Sequence, residues 1–157
     1  NTGRDTIVFK SEIDEQIINI GGLVCIESIY PDFTSVFVKK GAEFIAVVTN
    51  DSWYGNSSGP YQHKEISVLR AVETRRSVVR AANGGISCLI DPLGRTIADT
   101  KMYTRDYLVV DVPIEKEVTF YTEYPLIIPF TASIISIMVL IIFGMYELKN
   151  KLVGNKL

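Results

Sequence analysis

The chain has 157 residues, a formal net charge of −2 and 47% hydrophobic residues, enough for about one domain. No block of Lys and Arg occurs in the first hundred residues, so the basic footprint of a nucleic-acid binder is missing. Two cysteines and a single histidine are too few and too widely spaced for a disulfide framework or a zinc centre, and no metal is expected.

The chain opens on Asn1-Thr2-Gly3-Arg4, neither an initiator methionine nor a signal peptide, and Thr6 to Phe9 reads as a strand already in progress. A C-terminal portion of a longer protein is therefore expected. Residues 13–20 mix apolar and acidic positions and read as a connection with room for a short helix. Leu23 to Ile26 is a buried apolar strand that delivers Cys25 to its own C-terminal end, with Glu27 two residues on and a Tyr30-Pro31-Asp32 turn after it. Such a strand is one way to present a nucleophilic thiol; a cysteine between valine and isoleucine is equally a small core hydrophobe.

Phe33 to Lys40 reads as a helix with cations at its negative end. Phe44 to Val48 follows as a second buried strand. Strand, helix, strand with short joins is a βαβ unit, which brings Cys25 and Asn50 to the same sheet edge, where open α/β sheets bind ligands. Asn50 to Pro60 is a polar loop holding the only tryptophan, Trp53, beside Tyr54; it is either an ordinary Asn/Ser/Gly turn or a binding loop. Pro60 starts a helix whose apolar stripe is Ile66, Leu69, Val72 and Val79, stopped by Asn83-Gly84-Gly85. On that helix Arg70, Arg75, Arg76 and Arg80 form a basic second half, either solvated or facing acidic groups and lipid phosphates, and His63 is a structural hydrogen-bonder. Ile86 to Ile90, Asp91-Pro92-Leu93-Gly94 and Arg95 to Asp99 make a hairpin. Cys88 lies in its core, and Tyr107 to Val112 is one more strand.

Pro125 to Tyr146 carries no charge, long enough to cross a bilayer as a helix. Aromatic residues flank it, glutamates precede it, and Lys149, Lys151 and Lys156 follow it, so the positive-inside rule places the tail in the cytoplasm. The expected organisation is 1–116 as the α/β domain, 117–124 as a linker, 125–147 as the span and 148–157 as a cytoplasmic tail.

Taken in order, Cys25-Ile26-Glu27, Tyr30-Pro31-Asp32, Asn50-Asp51-Ser52-Trp53-Tyr54-Gly55, Gly59-Pro60-Tyr61-Gln62-His63, Arg70-Ala71-Val72-Glu73, Arg80-Ala81-Ala82-Asn83-Gly84 and Asp91-Pro92-Leu93-Gly94 resemble the C-terminal half of the nitrilase-like domain of the apolipoprotein N-acyltransferases. The resemblance implies part of an αββα sandwich followed by one transmembrane helix, in the bacterial plasma (inner) membrane with the catalytic domain on the periplasmic side. It implies transfer of an acyl chain from a phospholipid, through a cysteine thioester, to the N-terminal diacylglyceryl-cysteine of lipoproteins, with no metal or organic cofactor. Cys25 matches the nucleophile and Glu27 a supporting carboxylate; Trp53 and Tyr54 would cover the lipid chains. The family's general-base Glu and its Lys lie further upstream of the nucleophile than this chain reaches, and Lys10 and Glu12 do not replace them. Ile26 stands where the family carries a tyrosine. Two other readings are a nitrilase-like amide hydrolase and a membrane-tethered inactive binding module.

Overall fold

Residues 6–13 and 15–154 are described by the computed structural model. Strand β1 (Val8–Ile13) pairs antiparallel with β2 (Gln16–Val24). Of the stretch 13–20, expected as a connection, Ile13 ends β1 and residues 16–20 are the first half of a nine-residue strand. Its β-branched Ile17, Ile18 and Ile20 favour extended backbone, and β1 supplies the hydrogen-bonding edge. Helix α1 (Pro31–Lys39), begun by Pro31 at its first position, and β3 (Phe44–Asn50) complete the βαβ unit, with β3 parallel to β2.

Helix α2 (Gly59–Thr74) is shorter than its sequence predicts. It stops where Arg75 takes the left-handed conformation, φ 51°, and Ser77–Asn83 becomes β4, parallel to β3. The paired valines at 78 and 79 gain more as a strand beside β3 than as a fifth helical turn. Two consequences revise the sequence reading. The buried face of α2 is the polar one, comprising His63, Ser67, Arg70, Ala71 and Thr74, while Leu69 and Val72 are exposed. Nor is there a basic helical face: Arg70, Arg76 and Arg80 are all buried.

Strands β5 (Cys88–Ile90) and β6 (Thr96–Asp99) form the expected hairpin, and the sheet order is β1-β2-β3-β4-β5-β6. Tyr107 to Val112 is not a strand; residues 104–119 carry no regular secondary structure. Hydrogen bonds from Ser77 to the Pro113 carbonyl, from Arg76 to Glu117 and from Glu115 N–H to Glu43 tie this segment to the sheet instead. Two of those anchors use side chains and only one joins backbone to backbone, which makes no continuous ladder for an added strand.

The core lies between the sheet and α1 and α2, built from Leu23, Phe37, Val38, Ile45, Val47, Val78, Cys88 and Ile90 among others. Strand alternation sends Leu23 and Val47 inward and leaves Val24 and Val48 exposed on the opposite face. The fold is thus a mixed α/β sheet with one helical layer. In the stretch expected as a linker, Phe120–Glu123 forms a helical turn, α3, and Thr119 donates to the Glu73 carbonyl at 2.7 Å. The chain divides into two compact units between Glu123 and Tyr124. The second contains α4 (Ile127–Gly154), of which Ile127–Asn150 is long and apolar enough to span a membrane, with mean hydropathy 2.5.

Two buried carboxylates make the fold acid-sensitive. Burial alone would lift Asp91, but the Arg95 N–H and guanidinium and the Leu93 N–H outweigh it and hold the carboxyl below its usual range. Glu43 is held down chiefly by the Asn19 N–H at 2.7 Å, against the cost of burial and with help from Lys116. A carboxylate whose folded value is depressed contributes stability above its unfolded value and loses it as pH falls through the folded one. Thermal unfolding of the full protein should therefore shift downward in temperature below about pH 4. Glu43→Gln and Asp91→Asn should each lower the midpoint at pH 7 and flatten that acid limb; an unchanged limb in the double variant contradicts the assignment.

Candidate active site

Strand β2 ends at Val24, and the next five residues, Cys25–Ile29, form a 3-10 turn. Cys25 opens that turn with φ 50°, a left-handed conformation that costs a non-glycine residue on the order of 1 kcal/mol or more and persists only where neighbours enforce it. Those neighbours are on hand. The Glu27 carboxylate accepts the Val24 N–H at 2.7 Å, and Ser28 Oγ donates to the Cys25 carbonyl at 2.9 Å. Glu27 therefore closes the turn around the cysteine through the backbone, a contact that its spacing of two residues does not reveal.

Beneath the turn is a buried polar chain. His63, one turn into α2, places Nε2 3.3 Å from the Cys25 carbonyl oxygen and Nδ1 2.8 Å from Asp51 Oδ1. Arg80, on β4, donates to Asp51 Oδ2 at 2.5 Å, and Thr49 Oγ1 donates to Oδ1 at 3.1 Å. Asp51, His63 and Arg80 are each at most 3% exposed. A histidine without a local orienting group is what the sequence predicts; Asp51, twelve residues away, orients it across the fold. The Gly84-Gly85 pair is what allows this approach, because a Cβ on Gly85 would overlap the Asp51 carboxylate and one on Gly84 would sit 2.7 Å from the Ser52 Cα. Arg70 reaches the far end of the same turn, donating to the Ile29 carbonyl at 2.8 Å while paired with Glu73 at 2.7 Å.

Above the turn, the loop after β3 is organised by Asn50. Its side-chain oxygen accepts from Ser52 Oγ at 2.7 Å and from Asn83 Nδ2 at 3.0 Å, and its carbonyl accepts the Trp53 indole N–H at 2.6 Å. Trp53 is 73% exposed. It lines, with Val24, Cys25, Val48, Thr49 and Asn50, an open cleft of about 540 Å³. Tyr54 stacks against Trp53 with ring centroids 5.1 Å apart and meets the His63 ring edge-on at 6.3 Å. The structure thus brings Cys25 and Trp53 into one cleft, with Glu27 and Tyr54 each one contact behind it. Cys88 is a core residue, and burial pushes its thiol up to about 11. No group of three or more potential metal ligands occurs among the described residues.

A cysteine on a left-handed turn at the carboxyl edge of parallel strands, in a cleft with both polar and apolar walls, defines a class before it defines a reaction. The chain belongs to the carbon-nitrogen hydrolase family, whose model matches residues 3–119. Its curated relatives include the apolipoprotein N-acyltransferase of Chlorobaculum tepidum, 42% identical over 128 residues covering 81% of this chain and 24% of the relative. That of Rickettsia bellii is 39% identical over 145 residues, 92% of this chain and 28% of the relative. The chain spans about a quarter of the length of these relatives. Among solved structures it shares its fold with Nit3 of Saccharomyces cerevisiae, a member of branch 10 of the nitrilase superfamily (TM-score 0.50, 20% identity, 65% of this chain and 39% of that one). The amidase from Nesterenkonia sp. is similar (TM-score 0.50, 18% identity, 64% and 39%).

Proposed function

We propose that the chain supplies the nucleophile of an apolipoprotein N-acyltransferase, with Cys25 as the acyl carrier. The observation that carries this reading is Cys25 itself: a half-buried thiol on an enforced left-handed turn, opening on a cleft with apolar walls. Its support is the similarity of the surrounding sequence to enzymes of that name. The Cys25 thiolate attacks the ester carbonyl of a phospholipid; a C–S bond forms, the C–O bond breaks, and lysophospholipid leaves as the alcohol with the proton. The α-amino group of a diacylglyceryl-cysteine then attacks the thioester; a C–N bond forms, the C–S bond breaks, and the amine's proton returns the thiol. Thiolate formation needs a base or cation close by, the role of the Glu and Lys that the resemblance implies.

Glu27 supports the nucleophile by closing its turn. Trp53 and Tyr54 wall the acyl-binding side, where Val24 and Val48 extend the apolar surface. Helix α4 spans the membrane with the cationic tail in the cytoplasm, so the catalytic domain works on the periplasmic face of the bacterial inner membrane, next to its acyl donor. Amide hydrolysis is the competing reaction, and a helix in the same chain long and apolar enough to span a membrane favours a lipid substrate over a small amide.

Incubating the full-length protein in detergent with phospholipid and a diacylglyceryl-cysteine peptide should yield an amide-linked acyl peptide by mass spectrometry. Release of ammonia from small amides without peptide acylation contradicts the proposal. Trp53→Ala, which removes apolar wall, should lower kcat/KM for the phospholipid on the order of tenfold; an unchanged value would remove Trp53 from the acyl site.

A further inference from the structure

Two donors on one face of α2 grip the main chain of the cysteine turn. His63 and Arg70 are seven residues, about two helical turns, apart. The first faces the Cys25 carbonyl at 3.3 Å and the second the Ile29 carbonyl at 2.8 Å, at opposite ends of the 3-10 turn. Arg70 is paired with Glu73 on its own helix, whereas the His63 arm is braced across the fold: a carboxylate on the β3 loop stands between the imidazole and a guanidinium on β4. The Asp51 carboxylate and the Cys25 carbonyl are both acceptors, and the Ser28 hydroxyl, 3.4 Å from Nε2, spends its proton on the same carbonyl. Each ring nitrogen thus faces an oxygen held in place by the fold, and the Asp51 carboxylate is shared between His63 and Arg80.

We propose that Arg80, Asp51 and His63 form a positioning relay that holds the Cys25 peptide in its left-handed conformation and so fixes the thiol in the cleft. This rests on Cys25 being the nucleophile. The relay explains features that packing alone leaves without a reason. Three ionisable side chains are buried together under a turn that an all-apolar core would stabilise as well or better. Of the two adjacent glycines, Gly85 leaves room for the Asp51 carboxylate and Gly84 for the Ser52 backbone beside it. Helix α2 turns its polar stripe inward while Leu69 and Val72 face solvent. A misplacement of the reacting atom by about 1 Å costs on the order of 100-fold in rate, so a rigid carbonyl anchor is worth its burial cost at this position.

Two variants separate anchoring from space filling. Gln at position 63 can place its amide N–H where Nε2 was, keeping the Cys25 contact and losing Asp51; Asn can place its N–H where Nδ1 was, keeping Asp51 and losing Cys25. In the full-length protein, His63→Asn should lower kcat for acyl transfer on the order of 100-fold with the phospholipid KM unchanged. It should also slow alkylation of Cys25 by iodoacetamide, followed by peptide mass spectrometry. His63→Gln should recover most of both. Equal effects of the two variants, or normal alkylation and kcat in His63→Asn, overturn the relay. If neither variant accumulates, Ser28→Ala deletes the hydroxyl bond to the same carbonyl together with its contact to His63 Nε2 and should slow Cys25 alkylation several-fold; an unchanged rate overturns the anchor. Cys25→Ser run alongside keeps the two claims apart: a fully active Cys25→Ser refutes the nucleophile, whereas an inactive one beside a normal His63→Asn refutes the relay alone.

Discussion

Cys25→Ala in the full-length protein is expected to abolish acyl transfer, lowering kcat by on the order of 10⁶, the scale seen when a covalent nucleophile is deleted. The fold should survive the change. Cys25 is only half-buried, sits outside the hydrophobic core, and its side chain closes none of the hydrogen bonds that shape the turn, which run through its carbonyl and through Val24 N–H. The thermal midpoint should therefore stay within a few degrees of the parent, and alanine's greater reluctance to take φ 50° than glycine's is no greater than cysteine's own. Cys25→Ser should retain the geometry but present a far weaker nucleophile, since a hydroxyl lacks the thiol's accessible anion at neutral pH. The informative measurement is the peptide-acylation rate against the melting temperature of the same preparation. Loss of both together would mean that the residue is structural; retention of the rate would remove the thiol from the chemistry.

The largest stability effect is expected at the buried ion pair. Arg80→Met is similar in length and removes the charge, leaving Asp51 fully buried without its guanidinium and with hydrogen bonds from His63 and Thr49 only. Breaking a buried pair from one side costs about 3–5 kcal/mol, because the surviving charge keeps its desolvation penalty and loses its compensation. For a marginally stable domain that is a large share of the whole. Removing both charges with Asp51→Asn and Arg80→Met together should cost less than either single change plus the other, since no uncompensated ion is left. Denaturant titration of the four proteins gives the coupling directly. An additive double variant contradicts the pair as a unit. So does an Arg80→Met protein of parental stability.

Why these residues escape a linear reading is a matter of distance along the chain. Phe44 to Val48 and the Asp91-Pro92-Leu93-Gly94 turn signal their structure locally, as does Leu23 to Ile26, of which Leu23 and Val24 end the strand while Cys25 and Ile26 open the 3-10 turn; the βαβ unit and the terminal hairpin follow from such signals. The thiol, the Trp53 loop and their common sheet edge are legible for the same reason: alternation and turn chemistry place them. Helix α2 is where local signals mislead. Leu69 and Val72 at helical spacing predict an apolar buried stripe, yet the buried stripe is His63, Ser67, Arg70 and Thr74. Each of those polar groups has a partner 12 to 42 residues away or within about one turn, such as His63 on Asp51, Arg70 on Ser28 and Thr74 on Arg70, and spacing alone cannot reveal partners brought together by the fold. Arg80 is a sharper case. Read as helix it belongs to a solvated basic face; read as strand, alternation turns it inward beside Val78. A single misjudged boundary at Thr74 thus converts a buried member of the site into a surface charge. One signal in the chain points the other way: Ser77, Val78 and Val79 favour a strand, and Arg75 marks the break.

Glycine supplies a second illustration. Asn83-Gly84-Gly85 suits the end of a helix, but it ends β4 instead, and the reason for two glycines is the close approach of Ser52 and Asp51. Local turn chemistry identifies the break correctly and its purpose only after the neighbouring loop is seen against it.

Acyl transfer through a thioester on Cys25 is most directly tested by quenching the full-length protein with acid during turnover on phospholipid alone, without acceptor peptide, and sequencing its peptides by mass spectrometry. The expected result is one peptide containing Cys25 heavier by a single fatty acyl group, released by hydroxylamine and lost when the acceptor peptide is added. An acyl group on another side chain, or product formation with Cys25 never modified, would contradict it.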